Sequence, residues 1–244
     1  MSSVTRPTTS VVLPVKDGER FVLEALASVQ GQNAETNLEM IVIDDGSSDR
    51  TAETIREAFP QVTIIRTEGL GPSGARNLGL NRSTGEFVGF IDHDDLWPAG
   101  KLKRQLAGLQ QDPDLDIVVG RTQYEWLPGR EPVALLPADE NNSLHNVNLG
   151  ACLFRRRVFD RIGLFAADMR YAEDHDLFLR AREAGLRFCI SQEIGLVYRQ
   201  HGTNMTKGRS MGELGVFEAL RRSLHRRAAT DELKSMARLT DRSQ

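Results

Sequence analysis

The chain has 244 residues, of which 40% are hydrophobic and 27% charged, the composition of a soluble globular protein. Its net charge of −3 excludes a global basic field, so nucleic acid is not expected as a partner. Two cysteines, Cys152 and Cys189, are too few for a disulfide framework, and the polar N-terminus has no apolar signal segment, so a cytoplasmic location is expected.

Apolar runs and helical periodicity alternate regularly over the first half of the chain. Buried strands are predicted at residues 11–15, 40–43, 62–65, 87–91 and 117–119. Helices are predicted between them, at residues 19–30, 51–59, 74–81 and 100–110. This alternation predicts an α/β fold in which a mostly parallel sheet is flanked by helices. In such sheets ligands bind beyond the carboxyl ends of the strands, and acidic turns follow the second and fourth strands here.

The pattern becomes less regular after Tyr124. The remaining elements are predicted as a loop at residues 128–145, helices at residues 155–162, 174–184 and 212–239, and strands near Phe188 and at residues 196–198. We therefore expect one domain over residues 1–206 and a basic helical extension over residues 207–244. No apolar run reaches the roughly 20 residues that are needed to span a bilayer.

Three carboxylates follow the fourth predicted strand within four residues: Asp92, Asp94 and Asp95. Carboxylates this close repel one another, and a hard divalent cation with oxygen ligands relieves the repulsion. The same ion could hold a diphosphate and neutralise its charge. The alternative is a solvated acidic turn that caps the next helix, but the position at the ligand-binding edge of the sheet favours the metal.

The turn after the second predicted strand is also acidic, with Asp44, Asp45 and Asp49 close together. Asp49 or Ser48 is expected to cap the helix that starts at Thr51. A carboxylate at a strand end could also accept a hydrogen bond from a nucleoside base or a ribose hydroxyl. On this stretch alone, capping is the preferred interpretation.

A glycine-rich segment, residues 69–74, has the G-x-G-x-x-G spacing of dinucleotide-binding proteins. It follows the third strand rather than the first, and the three carboxylates after the next strand exceed the one acid that a ribose needs. The glycines are therefore interpreted as a mobile loop, from which Arg76 could reach the phosphate or base of a nucleotide.

Two later segments place charged residues at the ends of predicted elements. The acids of Glu173-Asp174-His175-Asp176 lie at the start of a predicted helix, where they would interact favourably with its dipole. Alternatively, one of them could be a general base. Arg199 and His201 follow the last predicted strand, where Arg199 could pair with phosphate. His201 could complete a metal shell, although a lone histidine is more often structural.

In order and spacing these segments resemble the family 2 glycosyltransferases, which have the Rossmann-like GT-A fold. The resemblance covers about residues 8–206. The matching motifs are S-V-V-L-P-V at 10–15, I-D-D-G-S-S-D at 43–49, A-R-N-L-G at 75–79, G-E at 85–86, D-H-D-D at 92–95, F-R-R at 154–156, G-L-F at 163–165, E-D-H-D-L at 173–177, L-R at 179–180 and Y-R-Q-H at 198–201.

For the donor, the resemblance implies a nucleotide-sugar, expected to carry UDP, and a divalent metal ion, Mn²⁺ or Mg²⁺. The residues implied to contact the nucleoside are Pro14, Val15 and Asp45. Those implied to hold the metal ion and the diphosphate are Asp94 and Asp95 of the D-x-D element, supported by Asp92, with Arg199 and His201 of the late motif.

For the reaction, the resemblance implies a single displacement that inverts the anomeric centre. Asp174 would take the proton of the acceptor hydroxyl, and the metal would stabilise the charge of the leaving diphosphate. Because the Q-x-x-R-W motif of processive members does not occur, transfer of a single sugar is expected. The acceptor is expected to be a glycan, a lipid-linked compound or another hydroxyl compound.

The predicted C-terminal helix carries apolar and basic side chains. Those at helical spacing are Leu214, Phe217, Leu220 and Leu224, and the arginines are Arg221, Arg222, Arg226 and Arg227. The apolar set is expected to pack on the domain and the basic face to be solvated. The alternative is peripheral contact with an anionic membrane, at its inner face, that carries a lipid-linked acceptor.

Other functions remain open on the sequence alone. A sugar nucleotidyltransferase would share the α/β fold and the metal, although residues 16–20 resemble its glycine- and lysine-rich phosphate loop only weakly. A dinucleotide-dependent oxidoreductase would use the glycine-rich segment, and a non-catalytic module would only bind a nucleotide-sugar. A homo-oligomer also remains open, and His93 has no interpretation.

Overall fold

The computed structural model describes residues 7–32, 36–129, 142–169, 171–205 and 213–241, with side chains as far as residue 230. The strands are β1 (Thr8–Val15), β2 (Asn37–Asp44), β3 (Thr63–Arg66), β4 (Phe87–Phe90), β5 (Ile117–Trp126), β6 (Ser143–Leu144), β7 (Cys152–Arg155) and β8 (Phe188–Gln200). The helices are α1 (Val22–Gln30), α2 (Thr51–Ala58), α3 (Gly71–Arg82), α4 (Lys101–Gln111), α5 (Arg157–Ile162), α6 (Glu173–Glu183) and α7 (Val216–Asp241).

All of these strands belong to one sheet, and the part built from the first four strands of the chain is parallel. The strand order is β3-β2-β1-β4-β7-β5-β6, and β8 pairs with β5. Strands β3, β2, β1 and β4 run parallel, β7 is antiparallel to both β4 and β5, and β8 is parallel to β5. The predicted α/β fold with a mostly parallel sheet and flanking helices is confirmed.

Strand β1 lies inside the parallel half and is buried along nearly its whole length. Successive strand residues point to opposite faces, so Leu13 joins the apolar cluster with Leu26 and Leu102 while Val12 joins the cluster with Phe90. A strand that is covered on both faces needs apolar residues at every position. This is why β1 appears in the sequence as a continuous apolar run rather than an alternation.

Helix α3 lies directly against β1 because of one glycine. A Cβ on Gly79 would lie 2.3 Å from Cγ1 of Val12, closer than any real contact. The glycine of the A-R-N-L-G segment therefore allows α3 to pack closely against the sheet. This contact also fixes the distance of Arg76 from the sheet, because Arg76 lies one turn earlier on the same helix.

The main departures from the predicted elements lie in the second half of the chain. Strand β7 was not expected, because four residues are too short to show a period and their pairing with β4 and β5 holds them. The two strands predicted near Phe188 and at residues 196–198 are one strand, β8, whose middle residues are polar and exposed. Of the predicted loop, residues 130–141 lie outside the described residues, and Ser143–Leu144 forms β6.

Helix α7 packs on the domain with the face opposite to the expected one. The apolar side chains that face solvent are Phe217 (66% exposed), Leu220 (45%) and Leu224 (62%). Arg222 and Arg226 turn toward the domain and pair with Asp168 and Glu183. The expectation of a buried apolar face and a solvated basic face is therefore wrong for these residues. Within the described residues, no helix combines the length and apolar character needed to cross a bilayer.

Candidate active site

The acidic turn after β2 lies beside the end of β1. Asp45 donates its backbone N–H to the carbonyl of Val15 at 2.8 Å. Pro14 and Val15 pair with Ile43 and Asp44 in the register of β1 and β2. The structure thus brings together the three residues predicted to contact a nucleoside, Pro14, Val15 and Asp45, at one edge of the sheet.

The carboxylate of Asp45 holds the glycine-rich segment. Its Oδ1 accepts hydrogen bonds from the Thr67 hydroxyl and the Leu70 N–H, and its Oδ2 accepts one from the Gly71 N–H at 2.8 Å. Burial acts against the charged form, but these hydrogen bonds outweigh it and lower the pKa of Asp45. Because a carboxylate from another segment satisfies its first N–H groups, α3 begins at Gly71 rather than at the predicted residue 74.

The other two acids of this turn are also engaged by the protein. Oδ1 of the fully buried Asp44 accepts a hydrogen bond from the Ser47 N–H at 2.9 Å, and Arg66 approaches its Oδ2 at 3.6 Å. Asp49 was predicted as a cap of α2; the N-cap residue is Arg50, and Asp49, one residue earlier, accepts a hydrogen bond from the Thr51 N–H at 3.0 Å. The turn after β2 therefore has its charges compensated by nearby donors.

The acidic turn after β4 is fastened to the end of β8. Oδ1 of the buried Asp95 accepts the backbone N–H of Arg199 at 3.0 Å. Leu96 and Val197 exchange backbone hydrogen bonds of 3.0 and 2.9 Å. Burial, followed by the charges of Asp94 and Asp92, raises the pKa of Asp95 well above its usual range.

Asp94 meets the histidine of the late motif. Oδ2 of Asp94 lies 2.9 Å from Nε2 of His201 and 3.4 Å from Nδ2 of Asn204. On the other side of the ring, Nδ1 of His201 lies 2.9 Å from the Thr203 hydroxyl. The ring also packs against Phe21, with centroids 4.6 Å apart. The fold therefore orients both sides of the imidazole and directs Nε2 at Asp94.

This pair of donors fits a divalent ion of the Mg²⁺ or Mn²⁺ type. Two atoms that bind one such ion at right angles, each about 2.1 Å away, lie about 3 Å apart. Asp94 and His201 are hydrogen-bonded to each other at 2.9 Å, which is compatible with that spacing, whereas Asp95 is engaged with the backbone of β8. In the part of the chain that the structure describes, no three His, Cys, Asp or Glu side chains are grouped to hold a metal. Two protein donors suffice where substrate phosphates and water complete the shell.

Arg199 lies buried between the acidic turn and α1. Its Nε donates to the carbonyl of Asp94, and its Nη1 pairs with Glu24. The guanidinium carbon lies 5.0 Å from the centroid of the Phe21 ring. Nη2 is buried and has no hydrogen-bond partner among the described residues, which costs free energy. A phosphate oxygen would satisfy this donor.

Arg76 links two acidic segments. Its Nη1 pairs with Glu173, and its Nη2 donates to Oδ1 of Asp92 at 2.7 Å. Burial opposes the charge of the guanidinium, but the carboxylates of Asp92 and Glu173 outweigh it and raise the pKa of Arg76. Any contact of Arg76 with a nucleotide has to compete with these two partners. Its evident structural effect is to tie the turn after β4 to the start of α6.

The first turn of α6 divides its carboxylates between two environments. Burial raises the pKa of Glu173, which lies against Arg76. Asp174 is 23% exposed, and its Oδ1 accepts the N–H of His175 and lies 2.8 Å from Nδ1 of that ring. This hydrogen bond raises the pKa of His175. The residue before the helix, Ala172, has a φ of 57°, a left-handed conformation that is uncommon for a residue with a Cβ.

Sequence reasoning missed three residues that support the late motif: Phe21, Glu24 and Asn204. Oδ1 of Asn204 accepts the N–H of His201, and its Nδ2 donates to the carbonyl of Arg199 at 3.0 Å. The signal for Asn204 was its position in a polar turn just after the last predicted strand. Phe21 and Glu24 gave no local signal, because they reach Arg199 only after α1 has packed beside β8.

The acidic turns after β2 and β4 lie at the carboxyl ends of parallel strands, where sheets of this kind bind their ligands. Residues 10–176 match the family described as Glycosyl transferase family 2. The chain belongs to this family of enzymes, and the resemblance noted in its sequence motifs is confirmed.

Several curated relatives carry glycosyltransferase names. An uncharacterised glycosyltransferase of Rickettsia typhi is 28% identical over 229 residues, which cover 88% of this chain and 70% of the relative. UDP-Glc:alpha-D-GlcNAc-diphosphoundecaprenol beta-1,3-glucosyltransferase WfgD of Escherichia coli is 30% identical over 178 residues, covering 70% of this chain and 68% of WfgD. The chain spans smaller shares of two other rickettsial relatives, 29% and 59% of their lengths.

Solved structures share the fold at lower identity. S. aureus TarS 1-349 in complex with UDP-GlcNAc has a TM-score of 0.70 and 21% identity, covering 88% of this chain and 65% of that one. Mannosyltransferase PcManGT of Pyrobaculum calidifontis, in complex with GDP-Man and Mn²⁺, has a TM-score of 0.61 and 21% identity, covering 83% and 59%. These likenesses establish the GT-A fold of the chain.

Proposed function

We propose that this chain transfers a single sugar from a UDP-sugar to an acceptor hydroxyl and inverts the anomeric centre. The observation that carries the proposal is the 2.9 Å approach of Asp94 to His201, which unites the D-x-D turn with the late motif. Membership of the family supports the reaction class.

The donor is proposed to lie along the carboxyl edge of the sheet. Pro14, Val15 and Asp45 would contact the nucleoside, since they lie together at the ends of β1 and β2. Nη2 of Arg199, which has no hydrogen-bond partner in the described part of the chain, would donate to the diphosphate. The name of WfgD includes UDP-Glc, and the complex of TarS contains UDP-GlcNAc, which supports UDP as the nucleotide.

A divalent ion, Mn²⁺ or Mg²⁺, is proposed to be held by Asp94 and His201. When bound, such an ion supplies positive charge that stabilises the leaving diphosphate. Asp95 would support the site by holding β8 through the Arg199 N–H, and Asp92 by its pair with Arg76. The Mn²⁺ complex of PcManGT supports a metal ion in this fold.

Asp174 is the proposed general base. Its carboxylate would take the proton of the acceptor hydroxyl while that oxygen attacks the anomeric carbon from the face opposite the leaving diphosphate, so the centre inverts. Glu173 is already paired with Arg76, and the nearly buried Asp176 is paired with Arg180. Asp174 is thus the accessible carboxylate of this segment. Arg76 would keep α6 and its base against the turn after β4.

The acceptor is proposed to be lipid-linked. The name of WfgD describes transfer to a sugar on diphosphoundecaprenol, which supports this class of acceptor. The cytoplasmic location, the division at residue 206 and a homo-oligomeric state stay predictions.

The melting temperature of the chain with UDP tests the donor site. A ligand that binds only the folded state raises it, so UDP with Mn²⁺ is expected to raise it more than UDP with EDTA. Asp94→Asn should lose the metal-dependent part. The control Asp114→Asn, at a side chain that is 84% exposed, should keep it. Equal shifts with Mn²⁺ and with EDTA would contradict the proposed metal site.

A further inference from the structure

Helix α7 presents its large apolar side chains to solvent and its small ones to the domain. Ala219 and Ser223 are buried on the inner side. Phe217, Leu220 and Leu224 are 66%, 45% and 62% exposed. Their spacing of three and four residues places them in one stripe along the outer side of the helix. A surface helix normally has the reverse arrangement.

Ion pairs fix this orientation of α7. Arg222 pairs with Asp168 at 2.6 Å, and Arg226 pairs with Asp176 at 2.9 Å and with Glu183 at 2.6 Å. A rotation of the helix that buried the apolar stripe would break all of these pairs. The exposure of the stripe is therefore built into the way the helix is attached.

Basic side chains border the stripe on both sides. With 3.6 residues per turn, Arg221 lies about 40° from Phe217 around the helix axis, and Arg227 lies about 80° away on the other side. Both are exposed. Between residues 216 and 230 the one acidic side chain is Glu218, which pairs with Arg221 and Arg222, and Asp231 and Glu232 follow directly in the sequence. Arg221 therefore borders the stripe while it also carries an ion pair within the helix.

We propose that this stripe, with Arg221 and Arg227 beside it, docks on the surface of an anionic lipid bilayer. Apolar side chains that enter the interface, with basic side chains that reach lipid phosphates, are the composition of interfacial helices. A second copy of the chain is a poorer occupant, because the basic borders of the two copies would face each other. Three large side chains also fall far short of the roughly 20–30 residues on each side of a stable protein interface.

The inner side of α7, opposite the docking stripe, contacts the helix that carries the proposed base. Arg226 pairs with Asp176, which shares the first turn of α6 with Asp174. A Cβ on Gly215 would lie 3.1 Å from the carbonyl oxygen of Tyr171, so the entry to α7 touches the segment before α6. That a membrane-held acceptor would meet Asp174 rests on the proposed function, whereas the docking itself does not.

Co-sedimentation with sucrose-loaded vesicles tests the docking. Vesicles that contain phosphatidylglycerol should bind at least about tenfold more chain than vesicles of phosphatidylcholine alone, and salt should reduce the difference. The triple substitution Phe217→Ser, Leu220→Ser and Leu224→Ser should lower binding by at least about tenfold. Arg221→Gln with Arg227→Gln should remove the preference for anionic vesicles. Ile190→Ser, a matched control at another exposed apolar side chain (63%), should bind as wild type does.

Circular dichroism and the UDP-induced rise in melting temperature should be unchanged in the triple variant, so a failure of docking is separable from a failure of donor binding. Equal binding to neutral and anionic vesicles would overturn the proposal, and so would full binding by the triple variant. A dimer that light scattering detects and the triple variant dissociates would assign the stripe to a second copy instead.

Discussion

The two acidic turns of this chain have similar sequences, yet the fold treats their charges differently. In the turn after β2, Asp44 and Asp45 accept backbone hydrogen bonds, and the pKa of Asp45 is lowered. In the turn after β4, Asp95 is buried beside Asp92 and Asp94, and its pKa is raised. Hydrogen-bond donors therefore outweigh burial at Asp45, whereas burial and the neighbouring carboxylates outweigh the Arg199 N–H at Asp95.

Within the second turn, Arg76 holds Asp92 and the Arg199 N–H holds Asp95, which leaves Asp94, beside His201, as the carboxylate proposed to bind a ligand. The start of α6 shows the same division, since Glu173 is paired with Arg76 while Asp174 remains accessible. Acidic residues alone therefore do not mark a catalytic centre in this chain. What distinguishes Asp45 from Asp95 is the balance between hydrogen-bond donors on one side and burial beside other carboxylates on the other.

Asp174→Asn should have the largest effect, because it removes an available carboxylate. Asn keeps the shape and much of the capping ability of Asp but cannot accept a proton. The transfer rate should fall by roughly 10²–10⁴-fold, while the fold and the binding of UDP persist. Initial rates with the true acceptor at saturating donor measure this. Turnover within a few-fold of wild type would remove Asp174 from the mechanism.

Asn substitutions at Asp45 and Asp95 should change stability in opposite directions. Asp45→Asn weakens bonds to the Thr67, Leu70 and Gly71 donors and should cost about 1–3 kcal/mol. Asp95→Asn keeps the acceptor for the Arg199 N–H but removes a buried charge beside two carboxylates. The free energy of unfolding in EDTA, measured with urea, should therefore stay equal or rise. Equal losses of unfolding free energy in the two variants would show that the two turns do not differ in this way.

The most gradual expected effect, spread over about two pH units, concerns Lys101, a buried cation held by neutral acceptors. Its Nζ donates to Gln105 at 2.7 Å and to the carbonyl of Cys152 at 3.1 Å, and burial lowers its pKa to about 7. Above that pH the unfolded chain keeps a proton on Lys101 that the folded chain has lost. Stability should therefore rise between about pH 7 and 9, by at most about 1.4 kcal/mol per pH unit.

Urea unfolding across this range checks the sign. Lys101→Met should remove most of the increase in unfolding free energy with pH. Lys103→Met, at an exposed position on the same helix, should leave that increase unchanged. Burial raises the pKa of Cys152 to about 12, so its unfolded thiol ionises first and opposes the rise above about pH 9. An identical slope in wild type and Lys101→Met would show that Lys101 is not the group responsible.

The parallel half of the fold could be predicted because its strands are continuous apolar runs and its helices have a clear period. The D-x-D turn could be placed at the carboxyl edge for the same reason. The partner of each charged group could not be predicted, because these contacts are distant in sequence. Asp45 reaches Gly71 across 26 residues, and Arg76 reaches Glu173 across 97.

Helix α7 shows a different limit of the sequence. Its periodicity correctly grouped Phe217, Leu220 and Leu224 on one face, but periodicity does not determine which way a face points. Ion pairs to Asp168 and Glu183 decide the orientation, and neither residue belongs to a motif. Strand β7 was missed because its four residues are held by their neighbours rather than by a pattern of their own.

The backbone bridge between Leu96 and Val197 also bears on how the chain matures. Asp94 is synthesised 107 residues before His201, and an N-terminal segment can begin to fold while the rest is still being made. Until β8 pairs with β5, the acidic turn has neither the bridge nor the histidine, and Asp94 and Asp95 lack the partners that β8 and the residues after it supply. The nascent chain can therefore assemble its nucleoside edge early but completes the proposed ion site last. Metal binding would then indicate that the final strand, β8, has paired with β5.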